Sequence, residues 1–316
     1  MPIDSDRAVW KPVSRRPLVF LRLPALSLLL AAFFTSCTTL PQDNSLYQCN
    51  QITHIRQGID FHPPLGNSTA KDSWDWEAIA EGINYTSYTA TQAPLRWHLV
   101  SIDLHNPRLE VLAYPDQDEI NSTGTFTGKN TWSFLNKTNA AVTVNATPFK
   151  APLTQLLPQR RLVGLYINRK SILSAPISRY SAICFWPQGD KLKAVIIDDQ
   201  TEHPPETELA LGGFFTIIRE GKIQDLPSCS LDSRLALGVT QDQRYLFILY
   251  VEGENKKESL GLSYEESALV MQAAGAWDAL QMDGGSSASL SVRGKEITGN
   301  RHRPVANILG FVVPFH

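Results

Sequence analysis

Short runs in which apolar and polar residues alternate dominate the chain from residue 161 onward: "LVGLYINRKSIL", "SAICFWP", "LKAVIID" and "FFTIIREGKI", separated by turns rich in Gly, Asn, Asp or Lys. A period of two over four to eight residues is the signature of half-buried strands, so this stretch predicts a β-meander. "SRLALGVTQDQRYLFILYVEG" adds two strands around the turn Gln241-Asp242-Gln243. Further upstream, "LRWHLVSIDLHNPRLEVLAYP" holds two alternations split by Asn106-Pro107, which predicts a hairpin, and "AAVTVNATPF" (140–149) is a β-rich run. Helical signals are fewer. "SWDWEAIAEGINY" (73–85) has a cap at Ser73 and a glycine stop at Gly82, predicting a short helix. Ser263-Tyr264-Glu265-Glu266 is a capping box followed by Leu269, Val270, Ala273 and Ala274, with Gly275 placed for a left-handed stop. "AWDALQM" then predicts a short buried strand, and "SLSVRGKEITG" a hairpin turning at Gly294-Lys295. Many strands with few helices, not regularly alternating, give an α+β class: a single domain with a mixed, largely antiparallel sheet.

The N-terminus breaks this pattern. Arg7, Lys11, Arg15 and Arg16 precede "LVFLRLPALSLLLAAFF" and then "TSC". A charged region, an apolar core and small residues predict an export signal over 1–36, and the apolar core is short for a bilayer span. Ser36-Cys37 has the look of a lipoprotein processing site, making Cys37 the expected lipidation site. A plain cleaved signal and a twin-arginine signal at Arg15-Arg16 remain alternatives. Residues 37–72, rich in Pro, Gly, Asn, Ser and Thr, read as a tether, leaving 73–316 as the domain. The expected location is therefore the cell envelope, attached to the membrane through lipid alone.

Charge narrows the partners. Without residues 1–36 the chain keeps 24 basic and 29 acidic residues, a net charge of −5, so neither nucleic acid nor an anionic membrane surface is expected as a partner. Cys49, Cys184 and Cys229 lack any C-x-x-C spacing, and the seven histidines are scattered. No metal site or other cofactor is predicted: a divalent ion beside the carboxylates would be compatible, but no ligand loop marks one. Cys184–Cys229 is the expected disulfide, although spacing leaves the connectivity open. Oligomeric state is not legible.

The candidate chemistry lies in "QMDGGSSASL" (281–290). Asp283 closes an apolar strand, Gly284 and Gly285 permit close backbone approach, and Ser286, Ser287 and Ser289 add hydroxyls. Such a loop can form an anion-binding concavity, but a turn with a capping aspartate reads the same way. Arg234 stands inside an otherwise apolar strand, Glu252 ends another, Asn145 ends a third, and Arg303 lies in a basic cluster with Arg301 and His302. Trp74, Trp76 and Trp97 could stack on sugars, but core packing is the commoner use of such residues. No Gly-x-Ser-x-Gly elbow accompanies the serines.

Taken in order, Arg234-Leu235-Ala236-Leu237-Gly238, Tyr250-Val251-Glu252-Gly253, Gly261-Leu262-Ser263, the run Gly275 to Ser287 and Arg303-Pro304-Val305-Ala306-Asn307 resemble the motifs of the phosphodiester glycosidase family. "WEAIAEGINYTSYT" and Asn145 to Phe149 match more loosely, and the resemblance runs over about 74–314. Ala146 and Thr147 stand where the family has glycines, Ser286 replaces a third glycine, and Glu252 stands where aspartate is frequent.

The resemblance implies a hydrolase cutting the glycosidic bond of a sugar-1-phosphodiester, with a carbohydrate or phosphoglycan as substrate. Such chemistry needs a carboxylate for an oxocarbenium-like transition state and donors for the phosphate. Asp283, Glu252 and Arg234 are the expected catalytic residues. Asn145, Gly284, Gly285, Ser286, Ser287, Arg303 and Asn307 are the expected substrate-binding ones. The alternative is a surface lipoprotein that binds glycan without turnover, which the lost glycines favour.

Overall fold

The computed structural model describes residues 74–90, 94–151, 159–226, 230–253, 255, 257–297 and 302–314. The export signal, Cys37, the tether and Cys229 lie outside them. In chain order the elements are β1 (Glu77–Ala80), β2 (Ile83–Ala90), β3 (Leu95–Asp103), β4 (Glu110–Tyr114), β5 (Phe126–Thr127), α1 (Thr131–Thr138), β6 (Val142–Asn145), β7 (Phe149–Lys150) and β8 (Gln159–Leu162). There follow β9 (Tyr166–Asn168), β10 (Ser171–Ser174), β11 (Ala182–Gln188), β12 (Lys191–Ile197), β13 (Leu209–Gly212), β14 (Thr216–Arg219) and β15 (Lys222–Ile223). The last group is β16 (Arg234–Val239), β17 (Tyr245–Val251), α2 (Tyr264–Ala274), β18 (Asp278–Gln281), β19 (Leu290–Val292) and β20 (Ile308–Val312).

Among the described residues the fold is mostly antiparallel sheet with two α-helices. An eight-stranded sheet runs β1-β2-β3-β17-β16-β18-β14-β15, beside a five-stranded sheet β10-β9-β13-β11-β12, a four-stranded sheet β19-β6-β20-β4 and a small sheet β5-β8-β7. Every pairing between these strands is antiparallel, so the mixed sheet expected from the sequence is replaced by several antiparallel ones.

Strand alternation gives the eight-stranded sheet two faces with different cores. Leu235, Leu237 and Val239 of β16 join Ile248 and Tyr250 of β17 in the large core shared with β6 and β20. Ala236 lies on the other face, among Leu249, Val251 and Ala279, beneath Ala268, Val270, Met271 and Ala274 of α2. Small residues on the strands leave room for the helix. Its start is fixed as expected: Ser263 accepts from the Glu266 amide at 3.1 Å, the Glu266 carboxylate accepts from the Ser263 amide at 2.7 Å, and Gly275 is the left-handed cap.

Four sequence expectations fail for identifiable reasons. Residues 77–90 form the hairpin β1–β2, with Glu81-Gly82 as its turn; the glycine is a bend between strands, not a helix stop. Asn106-Pro107 does not make a hairpin: β3 joins the eight-stranded sheet and β4 the four-stranded one, with Asn106 reaching across to the Glu81 carbonyl at 2.9 Å. The Gly294-Lys295 turn likewise follows β19, but β19 pairs with β6, and residues 295–297 are not in a strand. Cys184 is a free thiol buried in β11, pushed up to about 12 by burial.

Candidate functional site

β16 is flanked by β17 and β18, and the three strands meet at one end of the sheet: Arg234 opens β16 opposite Val251, and Ala236 faces Gln281. Ser233, just ahead of β16, ties the flanks together. Its hydroxyl donates to the Val251 carbonyl at 2.7 Å, and its own carbonyl accepts from the Gly285 amide at 2.8 Å. Gly253 is required by this crowding, since a Cβ there would sit 2.3 Å from the Ser233 nitrogen. Glu252 and Asp283 therefore leave from strands two sheet spacings apart, roughly 10 Å at the backbone.

At Asp283 the chain changes partners. The Met282 amide still donates to Leu235 of β16 at 2.8 Å, but the Asp283 amide donates to Ala146, beyond β6, at 3.2 Å. Asn145 staples both ends of the loop that follows: its Nδ2 donates to the Asp283 carbonyl at 2.8 Å, and its Oδ1 accepts from the Ser289 amide at 2.7 Å. Between them Gly285–Ser287 make a single 3-10 turn, with Gly285 in the left-handed region at φ 54°. Burial pushes the Asp283 carboxyl up to about 7, against the opposing pull of a hydrogen bond from Ser287 and the positive charge of Arg303. Arg303 is exposed, and its Nη1 donates to the Ser286 carbonyl at 2.8 Å. The amides of Gly285 and Ser287 donate to the Ser233 and Gly284 carbonyls. Among the described residues, the Ser287 hydroxyl and the Arg303 charge are the polar influences on the carboxyl. Next to the loop, the Thr147 hydroxyl is buried without a partner among the described residues.

Glu252 has a different setting. Its Oε1 lies 2.8 Å from His98 Nε2 and its Oε2 accepts from Arg96 Nη1 at 3.2 Å. The other ring nitrogen of His98 is 2.8 Å from the Tyr85 hydroxyl, and the imidazole lies between the rings of Tyr85 and Tyr250, at 6.0 and 5.7 Å. Sequence reading missed Arg96, His98 and Tyr85. The available signal was a lone histidine, His98, inside the largely apolar run "LRWHLVSID".

The remaining predicted residues take bracing positions. Alternation turns Arg234 toward the α2 face of the sheet, where its guanidinium packs 3.8 Å over the Tyr264 ring. Its Nε donates to the Leu262 carbonyl at 2.9 Å and an Nη to the Ser230 carbonyl at 2.6 Å. Asn307 accepts from the Thr147 amide at 3.1 Å and donates to the Tyr114 carbonyl at 2.6 Å, fixing the segment after β6. Trp74 and Trp97 are core residues, ring centroids 5.4 Å apart, with Trp76 stacked on Trp74. The fold thus gathers Asn145, Asp283, Gly284, Gly285, Ser286, Ser287 and Arg303 around one loop. Glu252 lies at the same sheet end, and Arg234 turns to its other face. Among the described residues no cluster of three or more His, Cys, Asp or Glu could hold a metal, and no helix is long and apolar enough to cross a membrane.

Solved structures with this arrangement of strands come from distant sequences. A hypothetical protein from Synechocystis superposes with a TM-score of 0.55 at 16% identity, over 74% of this chain and 63% of that one, so the chain spans under two thirds of it. The zebrafish N-acetylglucosamine-1-phosphodiester alpha-N-acetylglucosaminidase catalytic domain, auto-inhibited by its pro-peptide, superposes with a TM-score of 0.55 at 12% identity, over 79% and 94%. A Burkholderia pseudomallei protein described as exported gives 0.53 at 13%, over 71% and 75%. None of the curated proteins matches significantly. The phosphodiester glycosidase family model matches residues 138–312, a span that holds β6, the Glu252 strand, the Asp283 loop and Asn307. With more than half of its length matched, the chain belongs to the phosphodiester glycosidase family.

Proposed function

We propose that this protein is an exported hydrolase that cleaves a sugar-1-phosphodiester in envelope or extracellular glycan, with Asp283 as its reacting carboxylate. Family membership supports the reaction class, and one observation carries the residue assignment: a carboxyl held by burial at about 7, facing Ser287 and Arg303, in a loop stapled at both ends by Asn145. A base poised near neutrality is matched to proton transfer at physiological pH. Asp283 takes a proton from water as the oxygen bonds to the anomeric carbon. The bond from that carbon to the phosphate oxygen breaks, and the phosphomonoester leaves with the oxygen and the electron pair. A phosphomonoester is a weak base and needs little help from an acid. Were Asp283 instead to attack the sugar directly, the product would retain the anomeric configuration, whereas single-step attack by water inverts it.

In this reading Asn145 positions the loop, Arg303 and Ser287 meet the phosphate, and Glu252 and Arg234 stabilise the sheet end that carries them. Export rests on the sequence of residues 1–37 and agrees with the Burkholderia neighbour's description, while lipid attachment at Cys37 rests on that sequence alone. The test is to incubate the purified full-length protein with a panel of sugar-1-phosphodiesters and follow free reducing sugar. Release by the wild type should fall at least a thousandfold in Asp283→Asn while the fold persists. Equal turnover in that variant would remove the assignment. Saturable binding without release by the wild type would leave a glycan-binding lipoprotein.

A further inference from the structure

Asp232 lies just ahead of β16, and the backbone on either side of it is fixed. Its amide donates to the Leu262 carbonyl at 3.2 Å, and its carbonyl accepts from the Leu262 amide at 3.0 Å. A Cβ on Gly261 would come within 2.1 Å of that carbonyl oxygen, so the two segments are in close contact. The side chain is held as well, because Oδ1 accepts from the Ser233 amide at 2.7 Å. Among the described residues Oδ2 has no hydrogen-bond partner and the carboxylate forms no salt bridge. Asp232 is half-buried, and Oδ2 is not one of the enclosed polar atoms.

What Oδ2 meets is the loop that carries Asp283. A Cβ on Gly285 would lie 3.5 Å from it, so the missing side chain at that position leaves the oxygen uncovered. Gly285 opens the turn that ends at Ser287, and Arg303 donates to the Ser286 carbonyl between them. Residues 284–287 are all half-buried, which leaves the turn open to a ligand along its length. Two residues of chain span at most about 7 Å, so Gly285 and Asp283 lie within the reach of one sugar phosphate. The Ser287 hydroxyl and the Arg303 guanidinium are donors and suit phosphate oxygens. A sugar ring presents hydroxyl hydrogens, which need an acceptor, and Asp232 supplies one. Its charge repels phosphate, so the ring rather than the phosphoryl group belongs on its side of the turn.

We propose that Asp232 is a substrate-binding residue of the Asp283 loop, accepting a hydrogen bond from a sugar hydroxyl and thereby selecting which sugar the site takes. A hydrogen bond to an ionised acceptor is stronger than one between neutral groups. Because Oδ1 is already anchored, little side-chain freedom is lost when Oδ2 gains a partner. A site built to bond a hydroxyl rejects the analogue that lacks it. The inference rests on the phosphodiester reading for its substrate class, but recognition of the ring can be measured by binding as well as by turnover.

The experiment uses the full-length protein with methyl phosphodiesters of hexose and N-acetylhexosamine 1-phosphates, and with analogues that each lack one ring hydroxyl. Asp232→Asn is the informative variant. Its Oδ1 can still accept from the Ser233 amide, while its Nδ2 puts a donor where the free acceptor was. For the parent compound that the wild type takes best, the variant should raise KM, and the Kd read by calorimetry, at least tenfold, with kcat within threefold of wild type. For the analogue missing the recognised hydroxyl, wild type and variant should agree within twofold, whereas a merely structural role would weaken every compound alike. Binding without release by the wild type, with this same pattern, would sink the proposed activity and keep the role of Asp232. Release with KM unchanged in Asp232→Asn, or raised equally across all the analogues, would overturn that role and leave the activity standing. Neither binding nor release of any compound by the wild type would overturn both.

Discussion

Glu252 and Asp283 leave strands on either side of β16, yet the fold surrounds their carboxyl groups in opposite ways. Glu252 is met on both oxygens, by a guanidinium and an imidazole, and the imidazole is itself held by Tyr85. Asp283 is buried with a hydroxyl and one more distant positive charge, and burial dominates. A carboxylate whose oxygens are both engaged is built to stay where it is. One raised to about 7 suits the proton exchange proposed for it. In the proposed reading the two carboxyl groups at one sheet end divide into an anchor and a reagent, a division made by their neighbours and not by the residues themselves.

The largest effect that could break this division is on Glu252. Glu252→Ala removes the partner of His98 Nε2 in the core and the nearer of two carboxylates beside Arg96, the other being the exposed Glu258 at 3.6 Å. Removing one member of a buried ionic network costs about 3–5 kcal/mol, so urea unfolding should show a midpoint lowered accordingly. Glu252→Gln should recover part of the loss and keep turnover within tenfold of wild type. Normal stability with abolished turnover in Glu252→Gln would make Glu252 a reagent and erase the contrast.

Asp283 should behave in the reverse sense. Its folded pKa is above the unfolded value, so between about pH 4 and 7 the folded state binds more protons than the unfolded chain. Stability is therefore lost as pH rises through that window, reaching its full penalty above 7. A rise from 3.8 to about 7 corresponds to on the order of 4 kcal/mol at most. Asp283→Asn removes that penalty, so the variant should unfold at higher urea than wild type at pH 8, with the gain vanishing near pH 4. An inactive variant more stable than its parent is the pattern of a strained functional site. No gain at pH 8 would show that the carboxyl is not held in the state assigned to it.

Much of the molecule was legible before its structure. The capping box at Ser263, the β16–β17 pair and β6 follow from side-chain chemistry within a few residues, and so did the position of Asp283 at a strand end. Asn130 as a cap and Asn139 as a left-handed stop mark α1 just as locally, and that helix went unread because only Phe134 and Leu135 form its apolar stripe. What local pattern does not encode is which sheet a strand joins. Asn106-Pro107 looks like any hairpin turn, and only the partnership of β4 with β20 decides otherwise. The same limit applies to the site. That Arg234 faces Tyr264, or that Glu252 meets His98 and Arg96 across 154 and 156 residues of chain, depends on register between distant strands.

Asn145 and Asn307 supply the finest test of the contrast, because both grip backbone from a buried side-chain amide, although Asn307 also faces the Tyr166 side chain. Each is 1% exposed, and each uses its amide once as donor and once as acceptor to backbone. Asn145 grips the two ends of the Asp283 loop, whereas Asn307 grips Thr147 and Tyr114. Replacing either by Ala leaves one buried carbonyl and one buried amide without a partner, a loss of about 2–3 kcal/mol in each case. Equal losses in urea unfolding are therefore expected. Turnover should separate them. Asn145→Ala frees the loop that aims Asp283 and should lower kcat by about a hundredfold, since small misplacements of a reacting group are costly, while Asn307→Ala should stay within about fivefold at temperatures where both variants remain folded. If both variants lose turnover equally, Asn145 contributes through general stability, and the loop that it staples is not what sets Asp283 apart from Glu252.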